Sequence, residues 1–406
     1  MKPLWKNRSF TSVWIGNGAS ELAGAFGTFC NSILVYQLTG STLALGSMWI
    51  LYYVPSLILQ LVIGPYIDRW SRKWIMILTQ WTRAGIFLLP LFALFFGQLE
   101  VWHIYTVQVV IGLITPLYIP ANQAITPTIV KKDQLQTANG YLEGTMRLMM
   151  FVAPLTAGLV IEYIGVEWTL MMISSLLSVS GLLLLQVKER RGPRQIRKPW
   201  VKEFLEGTTY FFTQKIIVWL GVFLAFVQFG VGVTMVVTLP YITEVLSGSE
   251  LHYGLFMAGF PAGYVIGSLL VGKIKISSRR ILMLGSLFIG GLTFVALGFN
   301  HSIGLAIITE MIGGVMIAFF SIHNITILQK VVPDHLMGKV VSVRMLIVRG
   351  AIPLGVLAGG ILSEIYGIRP LYFLIGSVIC LTSLIGILVP YFKFIDNQPT
   401  EEKLAS

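Results

Sequence analysis

Gly64-Pro65-Tyr66-Ile67-Asp68-Arg69-Trp70-Ser71-Arg72-Lys73 stands between two long apolar stretches. Gly64 and Pro65 are residues that end a helix tightly. Asp68 can accept hydrogen bonds from the N-terminus of a neighbouring helix, where the macrodipole favours a carboxylate. Arg69, Arg72 and Lys73 can reach acidic groups or lipid phosphates. A merely charged loop would not need the spacing G-x-x-x-D-R-x-x-R-K.

The chain around this loop has 406 residues, of which 55% are hydrophobic and 12% charged, where soluble chains carry about 25% charged. Such a chain cannot cover its own surface with polar groups. An ordinary soluble enzyme, a disordered protein and a secreted disulfide scaffold are excluded, and a polytopic membrane protein remains. Cys30 and Cys380 both fall inside apolar runs, so no disulfide is expected. Runs of about 20 apolar residues are long enough to span the hydrocarbon core. Twelve occur, at 12–38, 43–66, 74–96, 102–123, 138–161, 168–187, 216–240, 252–272, 281–299, 302–328, 340–363 and 370–392. The first is too long for a signal h-region and contains Glu21, so it reads as a span.

The net charge of +11 would suit a nucleic-acid binder if it clustered on one face. Instead, Lys and Arg recur in the short gaps between apolar runs. With an inside N-terminus, 24 of the 29 lie in inner segments and only Arg369 lies in an outer gap; Arg83, Arg147, Arg344 and Arg349 fall within spans. The positive-inside rule then places both termini in the cytoplasm.

The longest polar stretch, 188–215, is basic and lies near the middle of the chain. It divides the chain into a six-helix bundle at 1–187, a linker at 188–215, a second six-helix bundle at 216–392 and a cytoplasmic tail at 393–406. Trp200 to Phe212 mixes aromatic and charged residues, as an interfacial helix on the inner leaflet would; the first turns of span seven would read the same way. The halves resemble each other. At a shift of 202, Arg147 meets Arg349, Gly158 meets Gly360, Glu162 meets Glu364 and Gly165 meets Gly367. Parallel six-span repeats are a recurring transporter plan.

The 64–73 loop resembles the signature loop of the major facilitator superfamily, G-x-x-x-D-R-x-G-R-[RK], with Ser71 at the second Gly. The resemblance implies an all-α membrane protein of twelve transmembrane helices in two pseudo-symmetric bundles. It also implies that Gly64, Asp68, Arg69, Arg72 and Lys73 form a conformational gate. In the second half only Gly272 and Arg279-Arg280 remain of this loop, without the Asp. Ala153-Pro154-Leu155-Thr156-Ala157-Gly158 is similar to the G-P-x-x-G-G signature of exporters in the superfamily, which marks Pro154 and Gly158; ordinary small-residue packing would give the same pattern. Gln108 stands where many drug–proton exporters carry an Arg, four residues before Gly112. The whole chain is similar to the macrolide-efflux and enterobactin-exporter branch.

Ionisable residues within spans are costly unless buried or paired, and so are candidates for function. Glu21 lies about nine residues into span one, roughly 14 Å deep at 1.5 Å per residue. It shares a face with Asn17, Gly24 and Thr28. Glu21, Glu310 and Arg147 are the candidates for proton and substrate coupling; the competing reading is a structural ion pair between Glu21 and an Arg of span five. Asn17, Gln108, Thr115 and Gln228 are the candidate cavity residues, on spans that line the cavity in the superfamily.

No phosphate-binding G-x-x-x-x-G-K-[ST] occurs, and the five histidines show no metal-ligand spacing. The chain therefore reads as a non-enzyme with no cofactor and no metal. The expected partners are a small-molecule substrate, protons and membrane lipids, without nucleic acid, and the expected state is a monomer in the inner (plasma) membrane. The expected activity is proton-driven export of hydrophobic or amphipathic small molecules. A dedicated exporter of a siderophore-like metabolite, a lipid flippase and a transport-inactive sensor are the alternatives.

Overall fold

A computed structural model of the chain describes residues 4–67, 70–189, 200–273 and 278–396. Among these residues the only regular structure is helix. Contacts divide the chain into two compact units, 1–196 with 248–258, and 197–247 with 259–406.

The first unit contains α1 (Arg8–Thr39), α2 (Thr42–Ile67), α3 (Arg72–Phe95), α4 (Val101–Ile129), α5 (Leu135–Ile164) and α6 (Val166–Leu185). After α7 (Trp200–Thr213), the chain forms α8 (Lys215–Pro240), α9 (Glu250–Val271), α10 (Arg279–Phe299), α11 (Ile303–Val331), α12 (Asp334–Tyr366) and α13 (Ile368–Leu388). The first turns of α9, to Ala258, group with the first unit.

Eleven of the described helices are long and apolar enough to cross a membrane. The remaining expected span, α1, has ample length at 32 residues. Its buried face carries Ser12, Asn17, Ser20, Asn31 and Ser32, and these lower its hydropathy. Polar residues of this kind are tolerated where they face other helices rather than lipid. Gly64 and Pro65, expected to end the second span, do not end it. α2 continues through them to Ile67; Gly and Pro are tolerated within membrane helices because neighbouring groups can satisfy the freed backbone.

Within the first unit, α1 packs on α5 and α6, and α3 on α4 and α6. The second unit repeats these pairs: α8 on α12 and α13, α10 on α11 and α13. The turn between α5 and α6 and that between α12 and α13 each use one glycine, Gly165 at φ +100° and Gly367 at φ +81°. These are two of the residues matched at the shift of 202, and the match has a conformational cause. With ψ at 168° and 174°, both occupy a region that only glycine enters readily.

α7 is a separate helix, parted from α8 by Gln214 in an extended conformation. It is not the first turns of the seventh apolar run. One side docks on the second unit through buried Phe211, a bond from Tyr210 Oη to the Val331 carbonyl at 2.9 Å and the Lys339–Glu206 pair at 2.7 Å. Leu205 and Phe212 are exposed.

Candidate functional site

A polar network threads four helices of the first unit. Its centre is Gln80 of α3, which is fully buried. The Gln80 Nε2 donates to Ser180 Oγ of α6 at 2.8 Å and to Tyr118 Oη of α4 at 3.3 Å. Its Oε1 accepts from Arg83 Nη1 at 3.1 Å, and the same nitrogen donates to Ser20 Oγ of α1 at 3.0 Å. Tyr118 Oη donates to Asn17 Oδ1 at 2.7 Å, and Asn17 Nδ2 donates to Asn122 Oδ1 at 2.9 Å. Ser180 Oγ completes the chain by donating to the Gly16 carbonyl at 2.7 Å. Both Gln80 donors and its carbonyl are used, so the amide has one orientation.

The network holds a guanidinium in place. Arg83 lies one turn beyond Gln80, and its Nε is buried without a hydrogen-bond partner among the described residues. Gly24 makes room for it: a Cβ there would stand 3.2 Å from Nη2. Glu21, one residue after Ser20, has an exposed side chain and feels the Arg83 charge. The charge that acts on Glu21 in the structure is thus on the third helix and not on an arginine of span five.

The other expected residues are placed apart from this cluster. Gln108 is buried in α4. The Thr115 hydroxyl donates to the Ile111 carbonyl of its own helix at 2.8 Å. Arg147 is exposed on α5. In the second unit Gln228 is half-buried on α8. Glu310 is half-buried on α11, facing Gly259 of α9, where a Cβ would lie 3.6 Å from Glu310 Cβ.

Pro154 and Gly158 lie where α5 meets the start of α9. A Cβ on Gly158 would stand 2.8 Å from the Glu250 carbonyl oxygen, and one on Gly254 would stand 2.6 Å from the Pro154 carbonyl oxygen. One turn further on, Glu162 Oε2 accepts from the Leu251 N–H at 2.8 Å. The exporter-like motif is therefore a site of near backbone-to-backbone packing.

In the gate segment, Asp68 and Arg69 lie outside the described residues, and Gly64 is within α2. Arg72 and Lys73 form the first turn of α3, whose N-cap is Ser71; its Oγ accepts from the Trp74 N–H at 3.4 Å. Serine caps helices well, which gives this departure from the family pattern a local reason.

Sequence reading missed Gln80, Tyr118, Asn122 and Ser180. Gln80 carried a signal: an amide one turn from an arginine inside an apolar run.

A family model described as transmembrane secretion effector matches residues 1–403. Macrolide efflux protein A of Streptococcus pyogenes is 23% identical over 407 residues, covering 97% of this chain and 98% of its own. The enterobactin exporter EntS of Escherichia coli O81 (strain ED1a) is 26% identical over 279 residues, 68% of this chain and 66% of its own. Among solved structures, a bacterial homologue of the iron transporter ferroportin in an inward-facing state superposes with a TM-score of 0.76 at 18% identity, covering 95% of this chain and 99% of that one.

Proposed function

We propose that this chain, which belongs to the transmembrane secretion effector family of the major facilitator superfamily, exports hydrophobic or amphipathic small molecules by alternating access in exchange for protons. It is a multi-pass membrane transporter with efflux proteins among its relatives. The plasma membrane, with both termini inside, is the setting that fits the charge bias of its loops.

The observation that carries the reading is the exposed carboxylate of Glu21, within the field of an arginine anchored in a buried network. In one state Arg83 neutralises Glu21 and substrate occupies the site without it. When a proton or a cationic substrate reaches Glu21, the pair loosens and the occupant changes. Only differential binding of this kind can couple two ligands to one conformational equilibrium. Glu310 supplies a second half-buried carboxylate in the other unit. The 64–73 segment gates the inner side, and the α5–α9 contact at Gly158 sets how closely those helices approach.

The enterobactin exporter among the relatives favours a second reading, a dedicated exporter of a siderophore-like metabolite. Efflux-deficient cells expressing the protein separate the two. Lower accumulation of a panel of fluorescent amphipathic drugs, abolished by a protonophore, supports drug–proton exchange. Unchanged accumulation across the panel overturns the drug reading and directs the search to secreted metabolites.

A further inference from the structure

A groove of about 610 Å³ runs between α3 and α6 of the first unit, a volume within the range of about 300–1,000 Å³ that holds drug-sized ligands. One wall carries Trp81, Gly85 and Leu88 of α3, and the other carries Ser174, Ser175 and Ser178 of α6. At 3.6 residues per turn the α3 wall is a single stripe, on a different face of the helix from Gln80 and Arg83. Leu78, Phe92 and Leu182, on the same two helices, are exposed, as large apolar side chains are where a helix meets lipid. Trp81 to Leu88 lie roughly 14–24 Å along α3, and Ser174 to Ser178 roughly 12–18 Å along α6, at 1.5 Å per residue. Both stretches therefore fall in the middle of a hydrocarbon core about 30 Å thick.

Glycines shape the groove. A Cβ on Gly181 would collide with the Trp81 indole, so the ring lies against α6 where that Cβ is missing. A Cβ on Gly85 would meet nothing within 4 Å. The polar wall is the unusual part. Hydroxyls in helices commonly return to a carbonyl one turn back, as Thr169, Thr382 and Ser383 do at 2.8, 2.8 and 2.6 Å. Ser174 does not. It is 8% exposed, and its Oγ is buried with no hydrogen-bond partner among the described residues. At this depth neither water nor an acyl chain supplies an acceptor. Rotation about one torsion is all a serine needs to turn its hydroxyl to an acceptor that a ligand brings.

We propose that this groove is a binding site for a lipophilic small molecule that enters from the bilayer and carries an acceptor oxygen, as a ketone, ester or ether does. Ser174 donates to that oxygen, and Trp81 and Leu88 cover the apolar body. The site is separate from the Glu21 and Arg83 network and stands whether or not Glu21 carries protons.

The probe is a hexyl-substituted benzophenone, a lipophilic ketone that cross-links to nearby C–H bonds on irradiation. The purified full-length protein in lipid nanodiscs is labelled, and adducts are mapped by peptide mass spectrometry. Adducts are expected to concentrate on 81–88 and 174–179. Gly85→Leu fills the groove and should cut this labelling at least about tenfold. Its side chain starts in open space and leucine is the better helix former, so its melting temperature should not fall. A long-chain dialkyl ketone should compete with the probe at least about fivefold better than an alkane of equal length, one hydrogen bond's worth of preference, and Ser174→Ala should abolish that preference. Adducts spread evenly over the lipid-facing helices, or unchanged in Gly85→Leu, overturn the site in favour of bulk lipid. A ketone preference that survives in Ser174→Ala overturns the role given to the hydroxyl. A parent that purifies as a dimer and a Gly85→Leu variant that purifies as a monomer would assign the groove to a second copy of the chain and overturn the proposal.

Discussion

Replacing Gln80 with methionine removes the centre of the first unit's network and changes little else. Methionine has nearly the volume of glutamine, so the substitution opens no large cavity. Three hydrogen bonds disappear: two to the neutral hydroxyls of Ser180 and Tyr118, and one from the Arg83 guanidinium. At about 1 kcal/mol for each neutral bond and about 2 for the charged one, the loss is about 4 kcal/mol. Ser180 keeps its bond to the Gly16 carbonyl and Tyr118 its bond to Asn17, so those hydroxyls are not orphaned. Arg83 retains only Ser20 on Nη1. For a unit of this size about 3 °C of melting temperature accompanies each kcal/mol, so Gln80→Met should melt roughly 10 °C below the parent. Tryptophan fluorescence of the detergent-purified protein during heating measures this. A melting temperature within about 2 °C of the parent would refute the assignment of Gln80 as the network's centre.

Two further substitutions probe the backbone geometry. Gly158→Val places atoms against the Glu250 carbonyl and the Leu251 Cα, which are backbone and cannot rotate away; a loss of about 1–3 kcal/mol is expected from overpacking, read as a lowered melting temperature, with Gly158→Ala milder. Gly165→Ala and Gly367→Ala each meet the conformational penalty of a positive φ, about 1–3 kcal/mol. Gly367 has open space around its missing Cβ, so a neutral Gly367→Ala melting curve would contradict the backbone argument directly.

The apolar runs told most of the architecture, because a membrane leaves the chain few ways to satisfy its backbone except by long helices. α1 was legible by length and by its place before the first gap, although its polar face weakens the hydropathy signal. The repeat was legible at Gly165 and Gly367, where one conformational demand recurs. At the starts of α3 and α10 it was hidden: Glu189 accepts from Ser71 Oγ and the Arg72 N–H, and Asp396 from Ser278 Oγ and the Arg280 N–H, although the two acids do not look alike in sequence. Of the site, Asn17 and Glu21 stood out as polar residues on one face of a helix. Their partners did not. Periodicity gives the face of each helix but not which faces meet, and the bonds that join Gln80 to Tyr118 and Ser180 cross 38 and 100 residues of chain. Ser71 looked like a blemish on a family signature, yet it is the cap of the helix that the signature opens.

The most direct test of proton-coupled export through Glu21 is substrate-dependent proton movement in proteoliposomes containing the purified protein and a trapped pH-sensitive dye. A panel of amphipathic cations is added under an imposed proton gradient. The parent protein should accumulate at least one panel member while dissipating the gradient, and Glu21→Gln should retain binding but do neither. Accumulation that persists unchanged in Glu21→Gln, or that proceeds without proton movement, would contradict the account.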